Sequence, residues 1–157
     1  MRTLLTQPFN FRDVTKLRRE VAAQAANCGL SGPRLDDFVL AVHESVVNAV
    51  EHGGGHGHFR LWTVDGIIRS ETTDRGAGIP DGYLNGHRRP SDMSYTGRGI
   101  YLIRRLCDTA DFDTGPRGTK VRLTMRLPKG PDRSTHGAMR RIRVTATPQR
   151  LLGRFVA

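Results

Sequence analysis

Residues 38–50 restrict what this chain can fold into more than any other stretch. Phe38, Ala41, Val42, Ser45, Val46, Ala49 and Val50 follow helical spacing, so the segment is a helix that buries one face. SGPRLDD opens it with acids in the first turn, where the positive helix end favours them, and Gly53 closes it. Glu44 and Asn48 stand four residues apart on this helix, one above the other, with His52 a turn further on. A carboxylate and an amide on an otherwise apolar helix are costly when buried without partners. Taken alone, they read equally well as a solvated polar stripe or as part of a site.

The rest of the chain supplies a sheet for that helix to cover. TLLTQPFNF reads as a first strand, kept at a sheet edge by Pro8. Asp13 can cap a helix running to about Cys28, with Val14, Leu17, Val21 and Ala25 on one face and Gly29 as the stop. HFRLWTV and IIRSETT are strand-like, and Asp65-Gly66 between them signals a tight hairpin. Residues 74–98 read as loop with room for one short helix. A third helix is expected from Gly99 to about Asp108, burying Ile100, Leu102, Ile103 and Leu106. DTADFDTG and TKVRLTMRL are two further strands joined at Pro116-Arg117-Gly118. Three helices and about five strands with hairpin links favour an α+β two-layer sandwich over a doubly wound parallel sheet.

Composition sets the class and weakens one reading. A chain of 157 residues fits one domain with a real core, and no apolar run approaches the length needed to span a bilayer. The opening MRTLLTQPFNFRD is polar by its sixth residue and lacks a signal-peptide pattern, so a cytoplasmic location is expected. Cys28 and Cys107 each fall on the apolar side of a helical pattern and read as two reduced core thiols. The formal charge of +10 invites a nucleic-acid reading. Residues 128–157, however, carry seven basic groups against Asp132, leaving only +4 on the first 127 residues. That basic stretch lacks interleaved aromatics, so nucleic acid is not the expected partner. We therefore divide the chain into a domain over residues 1–127 and a basic tail over 128–157, which reads as mobile.

Three glycine-bearing motifs follow the Glu44 helix. DRGAGIPDG puts Asp74 at a strand end with Gly76 and Gly78 after it, where glycine lets backbone approach a flat ligand. TGRGIYLIRRLCD puts Gly97 and Gly99 before an apolar helix, and helix N-termini favour phosphate. RGTKVRL places Thr119 at a strand start. Each alone describes an ordinary turn. In this order, ExxxNAxxH, DxGxG, GxG-helix and GT-strand resemble the motif series of the GHKL ATPases. That superfamily includes histidine kinases, type II topoisomerases, MutL-type repair proteins and the bacterial anti-sigma-factor serine kinases. The resemblance covers about residues 5–127 and implies the Bergerat fold, with three helices on one face of a mixed, mainly antiparallel sheet.

Within the superfamily the chain is most similar to the small anti-sigma-factor kinases. It shares a strand and helix ahead of the Glu-Asn helix, a lid of 18 residues between Gly78 and Gly97, and a prompt finish after Gly118-Thr119. The resemblance implies ATP and Mg²⁺ as cofactors, and a sigma factor and a STAS-domain anti-anti-sigma protein as partners, with homodimerisation a further expectation. It implies that Asn48 holds the metal and Asp74 accepts the adenine amine, with Thr119 and His52 nearby. Gly76 and Gly78 would shape the base pocket; Gly97, Arg98 and Gly99 would wrap the phosphates; Glu44 would be the catalytic base. One position departs from the pattern. Family members often hold a basic residue where this chain has Tyr95, so Arg98, Arg88 or Arg89 would have to replace it. A non-catalytic, ATP-gated protein-binding module is the alternative reading.

Two other motifs are set aside. His43-Glu44 starts like the zinc-protease HExxH, but Val47, followed by Asn48, stands where histidine is required. His52, His56 and His58 could ligate a metal, though a helix end and a solvated loop explain them as well. Removing residues 129–157 is expected to leave both the fold and nucleotide binding in place, as checked by circular dichroism and calorimetry. Unfolding of the truncated chain would show that the tail packs as structure.

Overall fold

Two tight hairpins and one edge strand build the sheet. The computed structural model describes residues 1–84 and 95–130, the side chains of residues 95 and 96 excepted. In chain order the elements are β1 (Arg2–Asn10), a 3-10 turn (Phe11–Asp13), α1 (Val14–Asn27), α2 (Gly32–His52), β2 (His56–Val64) and β3 (Ile67–Thr73). Then come α3 (Asp81–Leu84), α4 (Tyr95–Leu106), β4 (Thr109–Gly115) and β5 (Gly118–Arg126). The strands lie in the order β1-β2-β3-β5-β4. All four pairings are antiparallel, so no parallel ladder occurs among the described residues. Asp65 and Gly66 both take positive φ, 49° and 76°, the geometry of a two-residue turn whose twist matches the strands it joins. Pro8, which cannot donate to a ladder, sits on edge strand β1 as its chemistry requires.

Alternation along the strands separates two faces. Phe59, Leu61, Ile68, Leu123 and Met125 are buried toward the helices, where they meet Leu17 and Val21 of α1, Phe38, Val42 and Val46 of α2, and Ile103 of α4. On the other face Arg60, Glu71 and Arg122 stand opposite one another across three strands. The Glu71 carboxylate takes Arg122 at 2.7 Å and Arg60 at 3.8 Å, and the Arg60 guanidinium lies 5.0 Å from the Trp62 ring centroid. No described helix is long and apolar enough to cross a membrane.

Four local expectations need correction. Asp13 does not cap α1; its carboxylate accepts Asn10 N–H at 3.0 Å while Asn10 Oδ1 accepts Arg12 N–H, closing a box around the 3-10 turn. The first turn of α2 holds Pro33 and Arg34 with no acid, so Asp36 and Asp37 fall in the second turn. The helix α4 begins at Tyr95, four residues before the expected start, so Gly97 and Gly99 lie inside it. Glycine disfavours helix interiors, which is why TGRG reads as loop. Leu102 is exposed, because Ile100, Ile103 and Cys107 form the inward stripe and Leu102 points away from it. Both cysteines are free; Cys107 is buried and its thiol is pushed up to about 12, chiefly by burial, whereas Cys28 is half-buried at the end of α1. Beyond β5, Leu127 N–H donates to Gly66 O at 2.9 Å and packs on the core. The rest of the basic tail, residues 131–157, lies outside the described residues.

One ion pair ties the helical layer to the sheet end. Arg34, in the first turn of α2, donates to both oxygens of Asp108 at 3.1 and 2.7 Å, and to Arg126 O at 3.1 Å. Asp108 also accepts Arg126 N–H at 2.7 Å. The Arg34 hydrogen bonds, with help from Arg126, hold the Asp108 carboxyl down from 3.8 to about 2. A carboxyl depressed on folding stabilises the protein above its unfolded value, and this support is lost as pH falls through the folded one. With Arg34 half exposed, Asp108→Asn is expected to cost about 1 kcal/mol at neutral pH. The gap between variant and wild type in urea unfolding should close as pH falls below about 4.

Candidate functional site

Asp74 is positioned by backbone from three directions. Its own N–H donates to Thr119 O at 2.9 Å, and its Oδ1 accepts Gly76 N–H at 2.9 Å and Thr119 N–H at 3.2 Å. The loop after β3 is thus strapped to the start of β5. Glycines then let the C-terminus of α2 close against it. A Cβ on Gly53 would overlap the Asp74 carboxyl, and one on Gly76 would lie 2.6 Å from Gly53 Cα. Gly53 has φ −104°, an angle any residue adopts, so space and not backbone freedom requires glycine there. Gly78 differs: its φ of 89° needs glycine, and a Cβ there would overlap the Gly115 carbonyl oxygen. Thr114 Oγ1 accepts Ile79 N–H at 2.7 Å and lies 2.9 Å from Thr119 Oγ1, which pins the Gly78 loop to the β4–β5 hairpin.

Between α2 and the sheet these residues enclose a narrow cavity lined by Ser45, Asn48, His52, Thr72, Asp74 and Thr119, among others. Its volume is about 30 Å³, room for roughly one water. Ile79 and Ile100 line it from the loop and from α4. Ser45, Thr72 and Thr114 were not singled out from the sequence. The signals were present: Thr72 lies two residues before Asp74 on the same strand face, and Ser45 is a small polar residue on a core-facing helix position.

The other end of the site is built by α4 docking on α2. A Cβ on Gly99 would lie 3.1 Å from Glu44 Oε2 and 3.4 Å from the Asn48 amide oxygen and nitrogen. Gly97 and Gly99 are buried and Arg98 is exposed. Gly97 remains in the first turn of α4, where amides lack helical acceptors, while Gly99 lies past it and serves as the contact with α2. The Asn48 Nδ2 is buried without a hydrogen-bond partner among the described residues. An orphaned amide beside a helix start suits a bound polar group, and the amide oxygen suits a hard cation that keeps most ligands as water or phosphate. Burial raises the Glu44 carboxyl above its ordinary 4.5, Glu51 adds to this, and Arg18 opposes it. Neighbouring His43 is shifted down, by burial first and then by Arg18, and its Nδ1 has no described partner.

His52 lines the cavity and lies 3.7 Å from Glu51. His56 Nδ1 lies 3.1 Å from Gly54 O, and among the described residues no three His, Cys, Asp or Glu side chains gather to hold a metal. Arg88 and Arg89, the lid positions 85–94 and the Tyr95 side chain lie outside the described residues.

Residues 8–125 match the model of the histidine kinase-like ATPase domain. The chain belongs to this family. Its fold is shared with the RsbU and RsbW domains of Rv1364c from Mycobacterium tuberculosis (TM-score 0.58, 22% identity). That match covers 80% of this chain and 33% of the other, so this chain spans about a third of that structure. The mycobacterial sensor histidine kinase MprB is similar at TM-score 0.50 and 18% identity, over 80% of this chain and 100% of that one. No curated protein matches. Membership of this family implies ATP binding.

If Asp74 receives the base, Asp74→Ala should weaken ATP binding about tenfold to a hundredfold with the fold retained. Gly53→Ala should reproduce much of that loss, because its methyl group displaces the carboxylate while its backbone angle suits alanine. Calorimetry with ATP reads the affinity, and circular dichroism reads the fold. Wild-type affinity in Gly53→Ala would show that Asp74 is not held by this contact.

Proposed function

We propose that this chain is a regulatory, ATP-dependent protein serine/threonine kinase of the anti-sigma-factor type. It phosphorylates a STAS-type antagonist protein on a serine or threonine and binds a sigma factor. The observation that carries the kinase reading is the meeting of Glu44, Asn48 and Gly99 at one end of the cleft whose other end holds Asp74. The motif series and the short distance from the Glu-Asn helix to the Gly-Thr strand support the anti-sigma type. The shared fold with a structure holding an RsbW domain agrees with that reading without carrying it.

Each residue then has a role that its setting suits. Asp74, with Oδ1 already taken by two backbone amides, has Oδ2 left to accept from the base. The Asn48 amide is buried at the phosphate end, where its oxygen would hold Mg²⁺ and its nitrogen would find the acceptor it lacks. Magnesium, when bound, neutralises charge on the phosphates. Glu44 takes the proton from the attacking hydroxyl, and the burial that raises its carboxyl makes it a better base near neutral pH. Gly97 amide and exposed Arg98 face the phosphates from the start of α4.

Glu44 and Asn48 should fail in different ways. Asn48→Ala should lower Mg–ATP affinity and phosphoryl transfer together. Glu44→Gln should leave ATP binding close to wild type while transfer falls by about 10²–10⁴-fold. In wild type the transfer rate should fall as Glu44 protonates, at a pH above the ordinary glutamate range because its carboxyl is raised. Radiolabelled ATP with candidate STAS partners, followed by quench, reads these rates. Equal rates for wild type and Glu44→Gln would remove the base role. ATP binding with no transfer to any partner would favour a non-catalytic module whose partner surface is set by nucleotide.

A further inference from the structure

We infer that the hydroxyl pair Ser45–Thr72 sets the base preference of this cleft, by making its inner wall an acceptor that takes a 6-amino purine and rejects a 6-oxo purine. The inference rests on the nucleotide reading above and names a specificity element within it.

Ser45 Oγ donates to Val42 O at 2.7 Å, one turn back on α2. It also lies 2.9 Å from Thr72 Oγ1 on β3. A serine hydroxyl has one hydrogen, and the carbonyl of Val42 can only accept. With that hydrogen committed, the second contact requires Thr72 to donate and Ser45 to accept. The proton order is therefore Thr72 to Ser45 to Val42 O, and neither hydroxyl has a hydrogen left for the cavity. Both residues are almost wholly buried, Thr72 at 2% and Ser45 at 1% exposure. What Thr72 still offers the cavity is a lone pair. Asp74, two residues along on the same face of the chain, offers a carboxylate oxygen.

A base edge bearing N–H donors meets this wall with its hydrogen bonds satisfied. A carbonyl at the same position places oxygen against oxygen and leaves buried acceptors unpaired, the kind of mismatch by which a polar pocket discriminates strongly. The Asn48 amide nitrogen, an unpartnered donor in the cavity lining, lies at the Gly99 end. The pair also joins α2 to β3 through the core, so the wall is tied to the strand that leads into Asp74.

The test compares ATP with inosine triphosphate, which differs in bearing a 6-oxo group and a ring N–H. Affinities are measured by calorimetry on the full chain. Wild type should favour ATP by about a hundredfold. Ser45→Ala leaves Thr72 without its acceptor and free to turn its hydrogen toward the cavity. The preference should narrow to about tenfold, mainly through tighter inosine triphosphate binding. Thr72→Val removes the acceptor itself and should narrow the ratio as well. A merely structural role for the pair would lower both affinities in parallel or shift only the melting temperature. Variants that bind ATP yet keep the wild-type ratio overturn this inference and leave the nucleotide reading standing. A wild-type chain that binds neither nucleotide overturns both.

Discussion

The Asp74 carboxylate is where the separate parts of this molecule are forced to agree. One oxygen gathers the amides of Gly76 and Thr119, and the acid's own amide returns to Thr119 O. Those bonds connect the loop after β3 to the hairpin of β4 and β5. The C-terminus of α2 completes the enclosure by presenting Gly53, where any side chain would collide with the carboxyl. A charged group so placed is costly to desolvate unless it is hydrogen-bonded, and here fixed backbone dipoles provide the bonds. The result is a preorganised acceptor whose second oxygen is available to a ligand.

Close approach of backbones is the recurring device, and it trades helical stability for geometry. Gly99 lies within α4 although glycine there is less favourable than alanine by roughly 1 kcal/mol. Its absent side chain lets α4 reach the Glu44 carboxyl and the Asn48 amide. The two helices bury Ile100, Ile103 and Cys107 on one side and Ala41, Val42 and Ala49 on the other, and that packing offsets the propensity lost. A strong hydrophobic stripe thus holds a weak helix start against α2.

This trade explains what could be read from the sequence. The periodicities of α1 and α2, the Asp65-Gly66 turn and the alternation of β2, β3 and β5 all follow from local chemistry, so their type and place were legible. Glu44, Asn48, Asp74 and Thr119 were legible as a series because spacing and order repeat a known pattern. The start of α4 was not, since Gly97 and Gly99 argue locally for a loop and only contact with α2 makes a helix there. Leu102 was misplaced for a different reason: Ile100, Ile103 and Cys107 already fill the inward stripe, and Leu102 lies off it. Local pattern marks Thr72 and Ser45 only as polar residues at inward positions, and Thr114 not at all. Their meaning lies in contacts 27 residues apart for Ser45 and Thr72 and 35 for Thr114 and Ile79.

The helix α2 then acts as the ruler of the site. Gly53 abuts Asp74 at its C-terminal end, and Glu44 lies nine residues earlier, roughly 13 Å up the axis at 1.5 Å per residue. The two ends of the cleft are therefore spaced by a rigid element, not by loops. Successive residues on that ruler face different ways: Ser45 turns into the sheet toward Thr72, while Glu44 and Asn48 turn toward α4. Loops complete each end, with Thr114 pinning the Gly78 turn at one and α4 capping the other. The fixed span of the helix thus holds Glu44 and Asn48 in register with Asp74, while the packing of Ile79 and Ile100 closes the cleft between them.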